Sequence, residues 1–150
     1  MIRGAALPIA CAIVLAAGAA HAEPTVANAW MRPAALGAKS AEAYADVRTT
    51  AATTLVAVRT TAARHVELVV HDPRDAASVP RVVDKVALPA GETRFALKGS
   101  VLRFLDVTSP IVPGDGVPLV FEFVDAAGRT TKVEAKVEVR GFAPSPARMR

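Results

Sequence analysis

The chain has 150 residues, 52% of them apolar, with 18 basic and 14 acidic side chains and a formal net charge of +4. Its basic residues are spread along the sequence, and its only aromatics are Trp30, Tyr44 and five Phe, which excludes the clustered basic and aromatic patch of a nucleic-acid binder. Cys11 is the single cysteine, so no intramolecular disulfide can form, and without a Gly-rich phosphate loop nucleotide binding is not expected.

The N-terminus reads as an export signal. Arg3 supplies a short positive region, Leu7 to Ala20 is almost continuously apolar, and Ala20-His21-Ala22 places small residues where a signal peptidase reads them. The apolar run of about 14 residues is shorter than the roughly 20 needed to span a bilayer. A lipoprotein would need Cys11 as the acylated residue. That would cut the apolar run in half, and Pro8-Ile9-Ala10 is a poor context for it. Residues 1–22 are therefore assigned as a cleaved signal peptide, leaving a periplasmic chain with no membrane insertion after cleavage. Cys11, His21 and Met1 leave with the signal. The mature chain keeps His65, His71, Met31 and Met149, and loses one positive charge.

The mature chain reads as strands separated by turns. Val26 to Met31 forms the first and delivers Trp30. Pro33 to Lys39 is a loop, and Ala38 to Ala45 has the composition for one helical turn. Ala43 to Arg48 and Leu55 to Arg59 read as strands. In Arg64 to His71, Val66, Leu68 and Val70 face one way, and His65, Glu67, Val69 and His71 face the other. Val86 to Leu88 and Thr93 to Leu97 flank a Pro89-Ala90-Gly91-Glu92 turn, and Val101 to Val107 follows. After the Pro110 to Gly116 turn, Val117, Leu119, Phe121 and Phe123 alternate against Pro118, Val120, Glu122 and Val124. Asp125 to Gly128 connects to a last strand with Val133, Ala135, Val137 and Val139 inward and Lys132, Glu134, Lys136 and Glu138 outward. Eight or nine short strands and no amphipathic helix predict an all-β, antiparallel Greek-key β-sandwich over residues 23–140. Residues 141–150 read as a disordered basic tail.

Catalytic signals are weak. His65 or His71 could serve as a general base. Neither sits in a serine-containing elbow or a metal-binding Glu motif, and no catalytic residue is assigned.

One stretch after another resembles the periplasmic copper chaperones of the PCu(A)C family. The resemblance opens with Ala27-Asn28-Ala29-Trp30-Met31-Arg32-Pro33, Gly37-Ala38-Lys39 and Ala43-Tyr44. It continues through Val66-Glu67-Leu68, Leu88-Pro89-Ala90-Gly91 and Leu97-Lys98. It then runs from Pro110-Ile111-Val112-Pro113-Gly114-Asp115 into Val117-Pro118-Leu119-Val120-Phe121-Glu122-Phe123. It covers about Val26 to Val139, and the order and spacing of the pieces carry it. The resemblance implies a cupredoxin-like sandwich and delivery of Cu(I) to a terminal oxidase through two His and two Met, a soft donor set suited to that ion.

This sequence departs from the implied ligand set. The first His position is Val69, the first Met falls at Pro80, and the His-x-Met pair is Val101 and Arg103. Valine and proline carry no side-chain lone pair, and a guanidinium is itself a cation. The remaining candidate ligand is His71. His65 shares its strand face but lies roughly 20 Å along the strand, too far to share one ion; Met31, on the first strand, is the other side chain that could approach. The expectation is a non-enzymatic periplasmic protein of this family with high-affinity copper binding lost, no cofactor, and an unidentified periplasmic or membrane protein as partner. The alternatives are an active copper chaperone with a site rearranged around His71, completed by a partner or a second copy, and an unrelated periplasmic sandwich acting as a binding module. Trp30 and Tyr44 are expected in the sandwich core, and Arg32 across from a carboxylate.

Overall fold

The structure is a computed structural model that describes residues 23–141 apart from Pro73, Ala76 and Lys98. The signal peptide expected at 1–22 and, Gly141 apart, the tail expected at 141–150 lie outside the described residues.

Ten strands follow in order: β1 (Thr25–Met31), β2 (Ser40–Thr49), β3 (Thr53–Thr60), β4 (Ala63–Val70), β5 (Arg81–Val83), β6 (Val86–Leu88), β7 (Gly91–Phe95), β8 (Val101–Val107), β9 (Gly116–Asp125) and β10 (Thr130–Val139). They pair in the order β5-β4-β8-β2-β1-β10-β9-β3-β6, with β7 on β2. All pairs are antiparallel except β1 with β10. The fold is the expected all-β, cupredoxin-like one. Its two layers belong to one continuous rolled sheet, and the tenth strand is the short β5, whose sequence Arg81-Val82-Val83 is too brief to show alternation.

The inner faces of β2, β4 and β8 share one core with those of β3, β9 and β10. Leu55, Leu102, Phe104, Phe121, Phe123 and Val137 are all at most 1% exposed there. β9 and β10 alternate in burial as their sequences do. No helical turn forms between Ala38 and Ala45, because β2 begins at Ser40. Ala43, Tyr44 and Ala45 are consecutive and all buried. Both faces of β2 are covered at that point, which removes the period-two pattern a strand normally shows.

Two irregularities position the outer face. Asn28 sits in a left-handed conformation (φ 51°) at a bulge in β1. Its side chain donates to Asp46 at 2.9 Å. Beyond the bulge, Trp30 and Met31 pair with Tyr44 and Ala43 on one side and with Glu138 and Val139 on the other. β2 changes partner along its length: Ser40–Ala43 pair with β8, and Ala45–Thr49 with β7.

Candidate functional site

Val69, Val101, Arg103, Tyr44 and Trp30 meet on the outer face of β4, β8, β2 and β1. Val69 on β4 stands directly opposite Val101 on β8, and Val82 on β5 stands opposite Val69 on the other side. Val69, Val101 and Tyr44 form a buried cluster separate from the main core, and Trp30 packs against it. The Trp30 and Tyr44 rings lie 4.6 Å apart at a 39° tilt, and the Arg140 guanidinium sits 5.4 Å from the Trp30 ring centre. These two aromatics are thus not in the core between the layers, as the sequence suggested. They roof a second apolar cluster on the opposite side of the sheet, because Trp30 and Tyr44 have the opposite parity to core-facing Met31 and Ala43.

Next to this apolar row runs a charged one. Arg103 stands between Glu67 of β4 and Glu42 of β2 in the ladder. Its guanidinium is 3.8 Å from the Glu67 carboxylate. The Tyr44 hydroxyl donates to Glu42 at 3.0 Å. Burial, then the hydrogen bond and negative charge of Glu42, push the Tyr44 phenol up to about 12, against an opposing pull from Arg32. Arg32 therefore lies within electrostatic reach of the Glu42–Tyr44 pair.

Of the four expected ligand positions, the structure brings three together: Val69 and Val101 as a facing pair, and Arg103 two residues along β8 on the same face. Pro80 is exposed one residue before β5, and one step beyond the Val70–Arg81 pair the ladder sets it opposite His71. The His71 amide donates to Ser100 Oγ at 3.2 Å, and its Nε2 lies 3.4 Å from Ser78 Oγ. His71 also lines a cleft of about 770 Å³ with Val70, Val86, Pro89, Thr93 and Ser100. This cleft is on the side where β7 replaces β8 along β2. On its rim, hydrogen bonds from Arg48 and Arg94 hold the Glu92 carboxyl below its usual range.

Met31 does not approach His71. It is fully buried in the main core, on β1, which β8 and β2 separate from β4 in the sheet. His65 is exposed further along β4. Among the described residues, no group of three or more His, Cys, Asp or Glu is placed to hold a metal ion. Sequence reading missed Glu42 and Glu67 as neighbours of Arg103, and Arg140 as the cation over Trp30. The outward parity of Glu67 was legible, but the order of the strands was not.

Solved structures with this architecture carry PCuAC domains. The copper-bound PCuAC domain from PmoF2 is 22% identical over 81% of this chain and 96% of its own, with a TM-score of 0.62. Its apo form is 21% identical over 81% of this chain and 93% of its own, with a TM-score of 0.63. Cu(I)-DR1885 from Deinococcus radiodurans, solved in solution, is 21% identical over 81% of this chain and 83% of its own, with a TM-score of 0.61. At these identities what is shared is the fold, the one the sequence resemblance implied. No curated protein matches the sequence. The profile of the family described as lipoprotein LpqE-like matches residues 24–137. With three-quarters of its length accounted for by that profile, the chain belongs to the LpqE-like family.

Proposed function

We propose that this chain is an exported, non-enzymatic binding module on a PCuAC scaffold, in which a Cu(I) site has given way to an apolar and charged surface. The observation that supports this most directly is the Val69–Val101 pair. Two facing positions that resemblance assigns to imidazole ligands are filled by side chains without a lone pair, buried to 2% and 6% exposure. Arg103, at the neighbouring thioether position, adds a fixed positive charge, and the carboxylates of Glu67 and Glu42 flank it. The buried valines and the fixed positive charge oppose a cation, and the partly exposed charges of Arg103, Glu67 and Glu42 suit contact with another macromolecule. Residues 1–22 direct export to the periplasm, where the absence of cysteine from the mature chain leaves nothing to oxidise to a disulfide.

The test is a competition titration of the chain from Glu23 to Arg150 with Cu(I) against a chromogenic chelator, with His71→Ala in parallel. Failure of both proteins to withdraw copper from the chelator is the expected result. One-to-one binding abolished by His71→Ala would overturn the proposal in favour of a chaperone whose site has moved to the His71 cleft.

A further inference from the structure

β7 is held from one side only. It pairs with β2 from Ala45–Phe95 to Thr49–Gly91, and among the described residues no other strand runs along its second edge. Successive residues of a strand turn their backbone groups to opposite edges. The Ala96 amide points away from β2 and donates to the Ser100 carbonyl at 2.9 Å. Glu92 and Arg94 share the parity of Ala96, so their N–H and C=O groups also point away from β2, into the cleft of about 770 Å³ that His71 lines.

That cleft has the place of a strand. At its lower end Ser100 bridges the two walls, taking the Ala96 amide on its carbonyl and the His71 amide on its hydroxyl, the latter at 3.2 Å. Above Ser100 the walls are β7 and the chain from Val70 to Asp72, and among the described residues no hydrogen bond or ion pair joins them. Val70, Val86 and Thr93 line the interior and are each half-buried. Charges at the rim are matched within the chain. The Glu92 carboxylate accepts from Arg48 at 2.8 Å and from Arg94 at 2.7 Å, and the Asp72 carboxylate accepts the Arg74 amide at 2.9 Å.

We infer that this cleft takes an extended, uncharged peptide segment as a strand added antiparallel to β7, with aliphatic side chains at every second residue. A free strand edge offers hydrogen bonds to an extended backbone and to little else, which is recognition by strand addition. Antiparallel pairing is the more stable of the two directions. Directly opposed residues of such a pair share a face. The peptide residues that bond Glu92 and Arg94 therefore turn their side chains outward, as those two exposed residues do, and the residues between them turn inward onto Val70, Val86 and Thr93. Rim charges that already have partners favour a neutral segment over a charged one. The cleft volume lies within the roughly 300–1,000 Å³ of ligand pockets.

This site rests on the reading of the chain as a binding module and gives that module a ligand class, at a place apart from the Val69–Val101 pair. Peptide is titrated in EDTA and copper without peptide, so either can fail while the other stands.

The test is an amide NMR titration of the isotope-labelled chain from Glu23 to Arg150 with acetyl-Thr-Val-Thr-Val-Thr-amide. Saturable shifts with a Kd of about 1 mM or tighter are expected, largest at the amides of Glu92 and Arg94. The same peptide N-methylated at its threonines loses the donors that face β7 and should bind at least about tenfold more weakly. Arg94→Pro removes the facing N–H from the protein, leaves the β2 ladder its donors, and should weaken binding to a similar degree. The methylated peptide gives the same answer on the wild-type chain if that variant does not fold. No saturable shift, shifts centred on another edge or face, equal binding of the two peptides, or undiminished binding by a folded Arg94→Pro would each overturn the inference.

Discussion

Val69 and Val101 face one another across neighbouring strands, and together with Tyr44 and Trp30 they close a small apolar cluster on the side of the sheet away from the core. On an antiparallel sheet that side is normally the solvated one. Its occupation by a valine pair and two aromatics sets this surface apart from the outward face of β10, where Lys132, Glu134, Lys136 and Glu138 are all exposed.

The geometry of the pair predicts that metal binding can be written back. Directly opposed residues on antiparallel strands have Cβ atoms about 4.5–5.5 Å apart, close enough for two imidazoles to share one ion. Val69→His with Val101→His and Arg103→Met should raise Cu(I) affinity by about 100-fold or more over wild type, about 2.7 kcal/mol, read in the same chelator competition. Folding stability should fall by about 1–3 kcal/mol, because two polar rings replace buried valines. A triple variant that folds and gains no affinity would show that the ligand positions were misassigned.

Tyr44 is the only tyrosine, so an absorbance titration reads it alone. Its phenolate should appear around pH 12 in the folded protein. In the unfolded chain the phenol ionises near 10. The stabilisation from the neutral phenol is thus fully present below about pH 10 and is lost as pH rises through about 12. Glu42→Gln should lower the midpoint only part of the way, since burial is the larger cause and remains. A midpoint near 10 in the folded protein would contradict the buried, Glu42-bonded hydroxyl.

Stability should depend far more on the core than on the charged row. Phe104 is fully buried, and Phe104→Ala should cost about 3–5 kcal/mol in denaturant unfolding. Arg103→Gln should cost less than about 1 kcal/mol, because the Arg103–Glu67 contact is long, at 3.8 Å, and both side chains are partly solvated. A large loss at Arg103 would mean that the row serves the fold more than a partner.

The mass of the protein recovered from the periplasm should correspond to a chain beginning at Glu23. Family description as a lipoprotein makes the alternative specific: a diacylated product beginning at Cys11. Detection of that lipidated species would replace signal cleavage with membrane anchoring.

Much of the fold was legible in alternation. β9 and β10 bury every second residue, as their sequences show, and the limits of β6 and β8 coincide with the sequence reading. β2 was read too short because neighbouring Ala43, Tyr44 and Ala45 are all buried, on two different faces. β5 escaped because three residues hold no period. At the site, parity along β4 already put Glu67, Val69 and His71 together. What no local pattern contained was that β8 lies next to β4 and β2 next to β8. The Val69–Val101 pair and the Glu67–Arg103–Glu42 row exist only through those long-range pairings.

The parallel pairing of β1 with β10 has a consequence for when the protein can fold. The first and last strands lie side by side in the middle of the sheet, so neither half can be joined until residue 139 is available. Such distant contacts form slowly, and in a chain emerging from the ribosome β1 has no β10 beside it until the chain is nearly complete. Until then each half can pair only within itself, so closing the sheet between β1 and β10 is the last pairing open to the growing chain.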